Sequence, residues 1–134
     1  MLTEKTTIRV IIAGSRSFDD YKLLRETADR ILLEYQNSEI EIVSGHARGA
    51  DSLGEQYAKE RGYRCSVFPA QWKQHGVRAG FLRNSKMISY ASEKEPLVIA
   101  FWDGISHGTK DTIDKCRTLH VEHHVICFKE KTKD

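Results

Sequence analysis

Three short segments of the sequence combine glycine with residues that can bind phosphate, and the first of them is Gly14-Ser15-Arg16. Glycine allows a sharp turn, serine offers a hydroxyl, and arginine offers a fork of donors suited to phosphate or carboxylate. A tight turn in which Arg16 pairs with Asp19 or Asp20 would explain the same residues without a ligand. This segment is therefore weak evidence for a binding site when it is taken alone.

The second segment covers residues 44–51 and has the sequence SGHARGAD. Its small residues leave backbone N–H groups exposed where a helix is expected to begin, and such a helix N-terminus binds anions. Asp51 could cap this helix, accept a hydrogen bond from a ribose hydroxyl or fix an arginine. The residues expected to hold a phosphate here are Ser44, Gly45, Arg48 and Gly49.

The third segment, WDGISHGTKDT at residues 102–112, repeats this design. Two glycines flank a loop and Thr109 stands where a helix is expected to open, which again favours phosphate or ribose binding. Arg83 and Asn84 are expected to close the site. Trp72 and Trp102 could stack on a base, although packing in a core is the usual role of tryptophan. The residues expected to form the far wall are Asp103, Gly104, Ser106, Gly108 and Thr109.

All three segments follow predicted strands. Five short runs predict strands, at residues 8–13, 40–43, 64–68, 97–102 and 124–128, and the first of them is typical of a buried strand. Four amphipathic stretches between them predict helices, at about residues 20–35, 50–61, 80–91 and 109–119. Strands that alternate with helices form a parallel sheet with right-handed crossovers. We therefore expect an α/β fold: a single Rossmann-like domain whose five-stranded parallel sheet has the order 3-2-1-4-5 and is flanked by helices.

In a sheet of this kind ligands bind beyond the carboxyl ends of the strands, near the point where the strand order reverses. The four loops at that edge hold seven of the nine glycines and both tryptophans. They also hold six lysines and arginines but only three acidic residues. Residues with purely structural roles would be scattered over both edges, so this clustering predicts a ligand site at this one.

Length and composition limit the class of protein. The chain has 134 residues, 40% hydrophobic and 30% charged, which indicates one folded domain over 1–134 with a core at about 8–128 and a charged tail at 129–134. No apolar stretch approaches the roughly 20 residues that span a membrane, so we expect no membrane partner. The N-terminus has no apolar signal core and the cysteines are widely spaced, which indicates a cytoplasmic protein. We expect no metal and no cofactor.

The chain resembles the YspA/cpYpsA-related branch of the SLOG superfamily over about residues 10–128. The segments that carry the resemblance are GSRSFDDY, SGHARGAD, FPAQW, AGFLRNSKM and AFWDGISHGT. The resemblance implies a small Rossmann-like domain, of a kind found in bacteria and phages, that binds a nucleotide or nucleotide-derived small molecule as a sensor or sequestering protein. It also implies a homodimer or higher homo-oligomer, with the third predicted helix as the interface.

The lonely-guy phosphoribohydrolases of the same superfamily provide an alternative. They cleave the N-glycosidic bond of nucleoside monophosphates, and their R-x-x-x-M segment is matched by Arg83 and Met87. Thr112 stands at the position of their catalytic Glu, so the carboxylate that would activate water or stabilise an oxocarbenium-like state is missing. If the chain is an enzyme, the candidate catalytic residues are Asp51, Arg83 and Asp111.

The DNA-processing protein DprA, another relative in the superfamily, provides the second alternative. It binds single-stranded DNA, and it shares the GSR segment and an S-G-x-A-x-G-x-D loop that residues 44–51 match. Binding of this kind needs a continuous basic and aromatic track. The net charge here is only +2 and the charges alternate in sign along the predicted helices, so we expect no nucleic-acid partner.

Overall fold

Five parallel strands form the centre of the molecule in a computed structural model, which describes residues 5–129. The strands are β1 (Thr7–Gly14), β2 (Glu39–Ser44), β3 (Arg64–Val67), β4 (Glu95–Trp102) and β5 (Glu122–Cys127). All neighbouring pairs are parallel, and the order across the sheet is β3-β2-β1-β4-β5. The predicted α/β class, single domain and strand order are confirmed.

Helices cover both faces of this sheet. They are α1 (Tyr21–Leu32), α2 (Ala50–Arg61), α3 (Trp72–His75), α4 (Ala79–Ser92) and α5 (His107–Leu119), with short 3₁₀ turns at Leu33–Tyr35 and Gly76–Arg78. Successive side chains of a strand point to opposite faces. Val10 and Ile12 of β1 therefore pack with α1 and α2, whereas Ile11 and Ala13 pack with α4 and α5.

Two helix ends follow from single residues that the sequence marks. The carboxylate of Asp20 accepts the N–H of Leu23 at 3.0 Å and so caps the start of α1. Gly62 ends α2 in the left-handed conformation, with φ of +73°. Aspartate before the first turn of a helix and glycine after its last turn are residue types that favour these two positions.

The segment between β3 and α4 differs from the expectation. The sequence pattern predicts a loop over residues 69–79, but the structure has the one-turn helix α3 and a 3₁₀ turn there. A four-residue helix is too short to show helical periodicity. Helix α5 also begins at His107, two residues before the predicted start at Thr109. No side chain caps its first turn, so a capping residue could not be used to locate that start.

No helix among residues 5–129 is long and apolar enough to cross a membrane. The predicted charged tail falls almost wholly on residues 130–134, which lie outside the described residues.

Candidate functional site

A cavity of about 460 Å³ opens beyond the carboxyl ends of β1 and β4. These neighbouring strands mark the point where the strand order reverses, which is where parallel α/β sheets bind ligands. We call this space the main cavity. Most of the predicted ligand-binding residues line it: Gly14, Ser15, Arg16, Asp51, Trp72, Arg83, Asn84, Asp103, Ser106, Gly108 and Thr109.

The remaining predicted residues lie elsewhere. Gly45 and Arg48 line an adjoining space of about 400 Å³, which we call the second cavity. Ser44, Gly49 and Gly104 line neither cavity. The four loops that the sequence predicts as one site therefore meet, but they enclose two connected spaces rather than one.

A group of polar side chains joins the loops after β1 and β4. The hydroxyl of Ser15 accepts the N–H of Asp103 at 3.1 Å and lies 3.0 Å from the hydroxyl of Ser106. The carboxylate of Asp103 accepts the N–H groups of Ile105 and Ser106, each at 2.8 Å. Burial would raise the pKa of Asp103, but these donors lower it overall. This hydrogen-bonded group fixes the floor of the main cavity.

The loop after β2 is fixed by residues that do not line the main cavity. The hydroxyl of Ser44 donates to the carboxylate of Glu55 at 2.7 Å and accepts the N–H of His46 at 3.0 Å. Gly49 has φ of +79°, and a Cβ there would lie 2.3 Å from the carbonyl oxygen of Ser15. Ser44 and Gly49 thus act on the site without lining it. Ser44 fixes the loop after β2, and Gly49 allows that loop to contact the loop after β1.

The N-termini of α2 and α5 differ in what faces them. The N–H of Ala50, the first residue of α2, points at the carbonyl oxygen of Ser15 at 3.4 Å. In α5 the first intrahelical bond is donated by Lys110 to Ser106, at 3.1 Å. The three N–H groups before Lys110 therefore have no intrahelical acceptor, and His107, Gly108 and Thr109 all line the main cavity. Of the two, α5 presents the more open anion-binding end.

Two arginines enter the main cavity with different restraints. The guanidinium of Arg83 donates to the carbonyl oxygen of Gly45 and, through Nε, to the amide oxygen of Asn84 at 2.9 Å. The guanidinium of Arg16 lies 5.9 Å from the centre of the Trp72 ring, and no carboxylate of residues 5–129 forms an ion pair with it. The turn in which Asp20 would neutralise Arg16 is not formed, since Asp20 caps α1.

Asp51 places a buried carboxyl group in the wall of the main cavity. It is only 5% exposed, and its Oδ2 accepts the N–H of Ala47 at 3.3 Å. Burial raises its pKa to about 6, although the charge of nearby Arg83 acts in the opposite direction. Burial also lowers the pKa of Arg83. A Cβ on Gly45 would lie 2.7 Å from Oδ2 of Asp51 and 2.5 Å from Nη1 of Arg83, so a larger residue there would make these two side-chain ends move.

Apolar side chains also line the main cavity, and the sequence signals only some of them. Trp72, Val77, Phe81 and Met87 line the main cavity, and Val77 is 87% exposed. The R-x-x-x-M match places Met87 one helical turn after Arg83, so that residue could be found from the sequence. Val77 carries no such signal, because the segment before α4 has no regular pattern, and Phe81 carries none, because the pattern of α4 does not show which way its first turn faces. Trp102 does not line the cavity; its indole N–H donates to the carbonyl oxygen of Ser106 at 3.0 Å.

The remaining catalytic candidates are less favourably placed. The carboxylate of Asp111 does not line the main cavity; it accepts a hydrogen bond from the amide of Asn84 at 3.1 Å and another from Lys115. Thr112 does line it, is buried, and donates its hydroxyl to the carbonyl oxygen of Gly108 at 3.4 Å. Among residues 5–129, no three His, Cys, Asp or Glu side chains are grouped as a metal ion would require.

Comparison with known proteins decides the family. The model of the YspA, cpYpsA-related SLOG family matches residues 8–75, which is half of the chain. The chain belongs to this family. It is also similar to the Gene 61 protein of Mycobacterium phage D29, with 34% identity over 131 residues that cover 92% of this chain and 98% of that protein. No solved structure gives a significant match.

Membership of the SLOG family suggests nucleotide-related binding or a glycosidase role. The matched residues include the loops after β1 and β2 and extend to α3, whereas Arg83 and the loop after β4 lie beyond them. The family match and the geometry of the main cavity are thus partly independent sources of evidence about the site.

Proposed function

We propose that the protein binds a phosphate-bearing nucleotide or a nucleotide-derived small molecule in the main cavity, as a sensor or sequestering protein. The observation that carries this proposal is that one cavity brings Arg16, Arg83 and the open N-terminus of α5 together with the apolar side chains of Trp72, Val77 and Phe81. A nucleotide combines an anionic end with a planar, largely apolar end, so it can use both kinds of residue.

The anionic end suits the charged side of the cavity. Arg83 is already fixed by Gly45 and Asn84, so little side-chain entropy is lost when its remaining N–H groups meet a phosphate. No carboxylate of residues 5–129 forms an ion pair with Arg16, so a phosphate would not have to displace one. The first turn of α5 adds backbone donors and the positive end of the helix dipole.

The planar end suits the apolar side. Trp72 is 48% exposed and lines the cavity, which leaves its ring available for stacking. Phe81 and Val77 extend the same surface. The volume of about 460 Å³ lies in the range typical of small-molecule sites.

Calorimetric titration of nucleoside monophosphates and the matching nucleosides tests this proposal. We expect the nucleotide to bind more tightly, and Arg16→Ala to weaken its binding about 10- to 150-fold with little change in melting temperature, as for loss of one charge-assisted hydrogen bond. Arg30→Ala is the matched control, because Arg30 is an exposed arginine on α1 that lines neither cavity. Equal affinity for nucleotide and nucleoside would refute the phosphate argument.

N-glycosidic hydrolysis of nucleotides is the second candidate, and Asp51 is the observation that favours it. A buried carboxyl group with a raised pKa in a cavity wall is typical of catalytic sites. Against this, Thr112 replaces the Glu of the phosphoribohydrolases and offers only a hydroxyl. We therefore expect negligible release of free base when nucleoside monophosphates are incubated with the protein and analysed by chromatography. Multiple turnovers that vanish in Asp51→Asn, but persist in Asp111→Asn, would establish a hydrolase instead.

The homo-oligomer implied by the family resemblance is also a proposal. Phe81 and Leu82 on the first turn of α4, the helix expected at the interface, are 43% and 38% exposed. Sedimentation of the purified protein tests it, and a monomer at all concentrations would contradict it.

A further inference from the structure

The second cavity adjoins the main cavity and shares four residues with it. The shared residues are Arg16, Ala47, Trp72 and Arg83. Beyond them, the second cavity is lined by Gly45, His46 and Arg48 from the loop after β2 and by Pro69 and Ala70 after β3. A ligand seated against the shared residues therefore has space on both sides of them.

The two cavities differ in charge. Arg16, Arg48 and Arg83 all line the second cavity, and no carboxylate among residues 5–129 does. The main cavity shares two of these arginines but also contains the carboxyl groups of Asp51 and Asp103. The second cavity is therefore the stronger attractor of negative charge, whereas the main cavity combines an apolar wall with hydrogen-bond acceptors that suit a base and a ribose.

Arg16 and Arg83 line both cavities, whereas Arg48 lines only the second. Arg83 is held by its bonds to Gly45 and Asn84, and Gly45 itself lines the second cavity. Arg48 is exposed and forms no ion pair with residues 5–129. A phosphate at Arg16 and Arg83 would be followed by Arg48, which is where a second phosphate would need a cation.

We infer that the ligand carries more than one phosphate, and that its phosphate chain passes over Arg16 and Arg83 into the second cavity, where Arg48 binds the distal phosphate. The ligand class is a nucleoside diphosphate or triphosphate, or a conjugate with the same diphosphate unit. This inference rests on the proposed function, since it assumes that the nucleoside lies in the main cavity.

Calorimetric titration with the mono-, di- and triphosphates of adenosine and of guanosine tests the inference, with and without Mg²⁺. We expect the di- or triphosphate of the preferred base to bind about 10- to 150-fold more tightly than the monophosphate, which is the range for one added charge-assisted hydrogen bond. Arg48→Ala should remove that advantage and leave monophosphate binding unchanged. Inorganic triphosphate, a probe that needs no base, should bind the parent protein and lose affinity in Arg48→Ala.

Arg78→Ala is the matched control, because Arg78 is an exposed arginine near the mouth of the site that lines neither cavity. Equal losses in Arg48→Ala and Arg78→Ala would mean unspecific attraction by charge and would overturn the inference. Monophosphates that bind as tightly as di- and triphosphates would also overturn it, while the proposed function would stand. Failure of every nucleotide to bind would instead refute the proposed function.

Discussion

Asp51 is the residue in the site whose position is least favourable for folding. Its carboxyl group is buried beside the cavity, and Oδ2 accepts one hydrogen bond, from the N–H of Ala47. Arg83 is nearby but does not form an ion pair with Asp51. Removing a carboxylate from water without full compensation costs free energy, which is why its pKa is raised to about 6. A residue kept in such a position is a candidate for recognising a ligand donor, such as a ribose hydroxyl.

The raised pKa predicts a pH-dependent stability. Since the pKa of Asp51 is 3.8 in the unfolded reference and about 6 in the folded protein, the folded state binds more protons between these values, and its stability falls as pH rises through them. Asp51→Asn cannot ionise and escapes that loss. We expect its free energy of unfolding, relative to the parent protein, to rise by up to about 3 kcal/mol from pH 4 to pH 7.

Urea unfolding at several pH values measures this difference. Asp19→Asn is the control, because Asp19 is an exposed aspartate that lines neither cavity. If the stability curves of Asp51→Asn and the parent protein run parallel between pH 4 and pH 7, the carboxyl group does not carry the burial cost described above.

Some residues of the site could be predicted from the sequence and others could not. Gly14, Arg16 and Arg83 could be selected because glycine and arginine in loops after strands have few structural explanations. Val77 and Phe81 could not, because Val77 lies in an irregular segment and Phe81 lies on the first turn of α4, where the helical pattern does not indicate whether it faces the core or the cavity. The polar residues of the main cavity and Trp72 were therefore predictable, whereas Val77 and Phe81 became visible only in the structure.

Whether a helix or strand could be predicted depended on its length and on the residues that mark its two ends. Helix α2 was predicted over Ala50–Arg61, as observed, because Gly62 marks its C-terminal end and the apolar strand β2 comes before it. Helix α3 was not predicted, since one turn contains no repeat. That short helix matters to function, because it presents Trp72 to both cavities.

Two glycines at the two ends of α2 provide a matched test of how the loops are held together. Gly49 and Gly62 both have positive φ, of +79° and +73°. A Cβ at Gly62 would have nothing within 4 Å. Gly62→Ala should therefore lower the free energy of unfolding only by the cost of the left-handed backbone conformation for alanine, about 1–2 kcal/mol. A Cβ at Gly49 would meet the carbonyl oxygen of Ser15 at 2.3 Å, and its ψ of −129° places it in a region that is almost exclusive to glycine.

Gly49→Ala should therefore lower the melting temperature more than Gly62→Ala, and it alone should weaken nucleotide binding because it displaces the loop that carries Arg16. Thermal unfolding and calorimetry of the two variants measure both effects. Similar melting temperatures and unchanged binding in Gly49→Ala would show that the contact between the loops after β1 and β2 does not hold the site together.

At the scale of the whole molecule, the fold was the most predictable feature. Alternation of apolar runs with amphipathic stretches leaves a parallel sheet as the natural solution, and loops after neighbouring strands must then meet at one edge. The sequence could not show that these loops enclose two cavities. That division depends on where the side chains of Arg16, Trp72 and Arg83 lie, and those positions are set by packing between segments distant in the chain.

The distribution of charge over the molecule separates binding of a small nucleotide from binding of single-stranded DNA. A DNA strand needs a groove that follows several phosphates, and each phosphate neutralised adds about 0.7 to the slope of log affinity against log salt. The arginines of the two cavities converge on one edge from the loop after β1, the loop after β2 and helix α4. Elsewhere several cations pair with neighbouring carboxylates, as Lys110 does with Asp114 at 2.9 Å and Arg61 does with Asp29 at 2.6 Å, which reduces the positive charge that a DNA strand could follow.

We therefore expect a labelled oligonucleotide of about 20 nucleotides to bind weakly at physiological salt. Few phosphates can reach the convergent arginines, so the salt slope should be shallow, corresponding to roughly two or three phosphates at about 0.7 each. Because Trp72 is the one tryptophan that lines either cavity, stacking should add no more than about 1–3 kcal/mol. Excess nucleoside triphosphate should displace the oligonucleotide, since both would use Arg16 and Arg83. Fluorescence anisotropy measures all three quantities, and sub-micromolar binding that excess nucleotide fails to displace would favour DNA as the ligand.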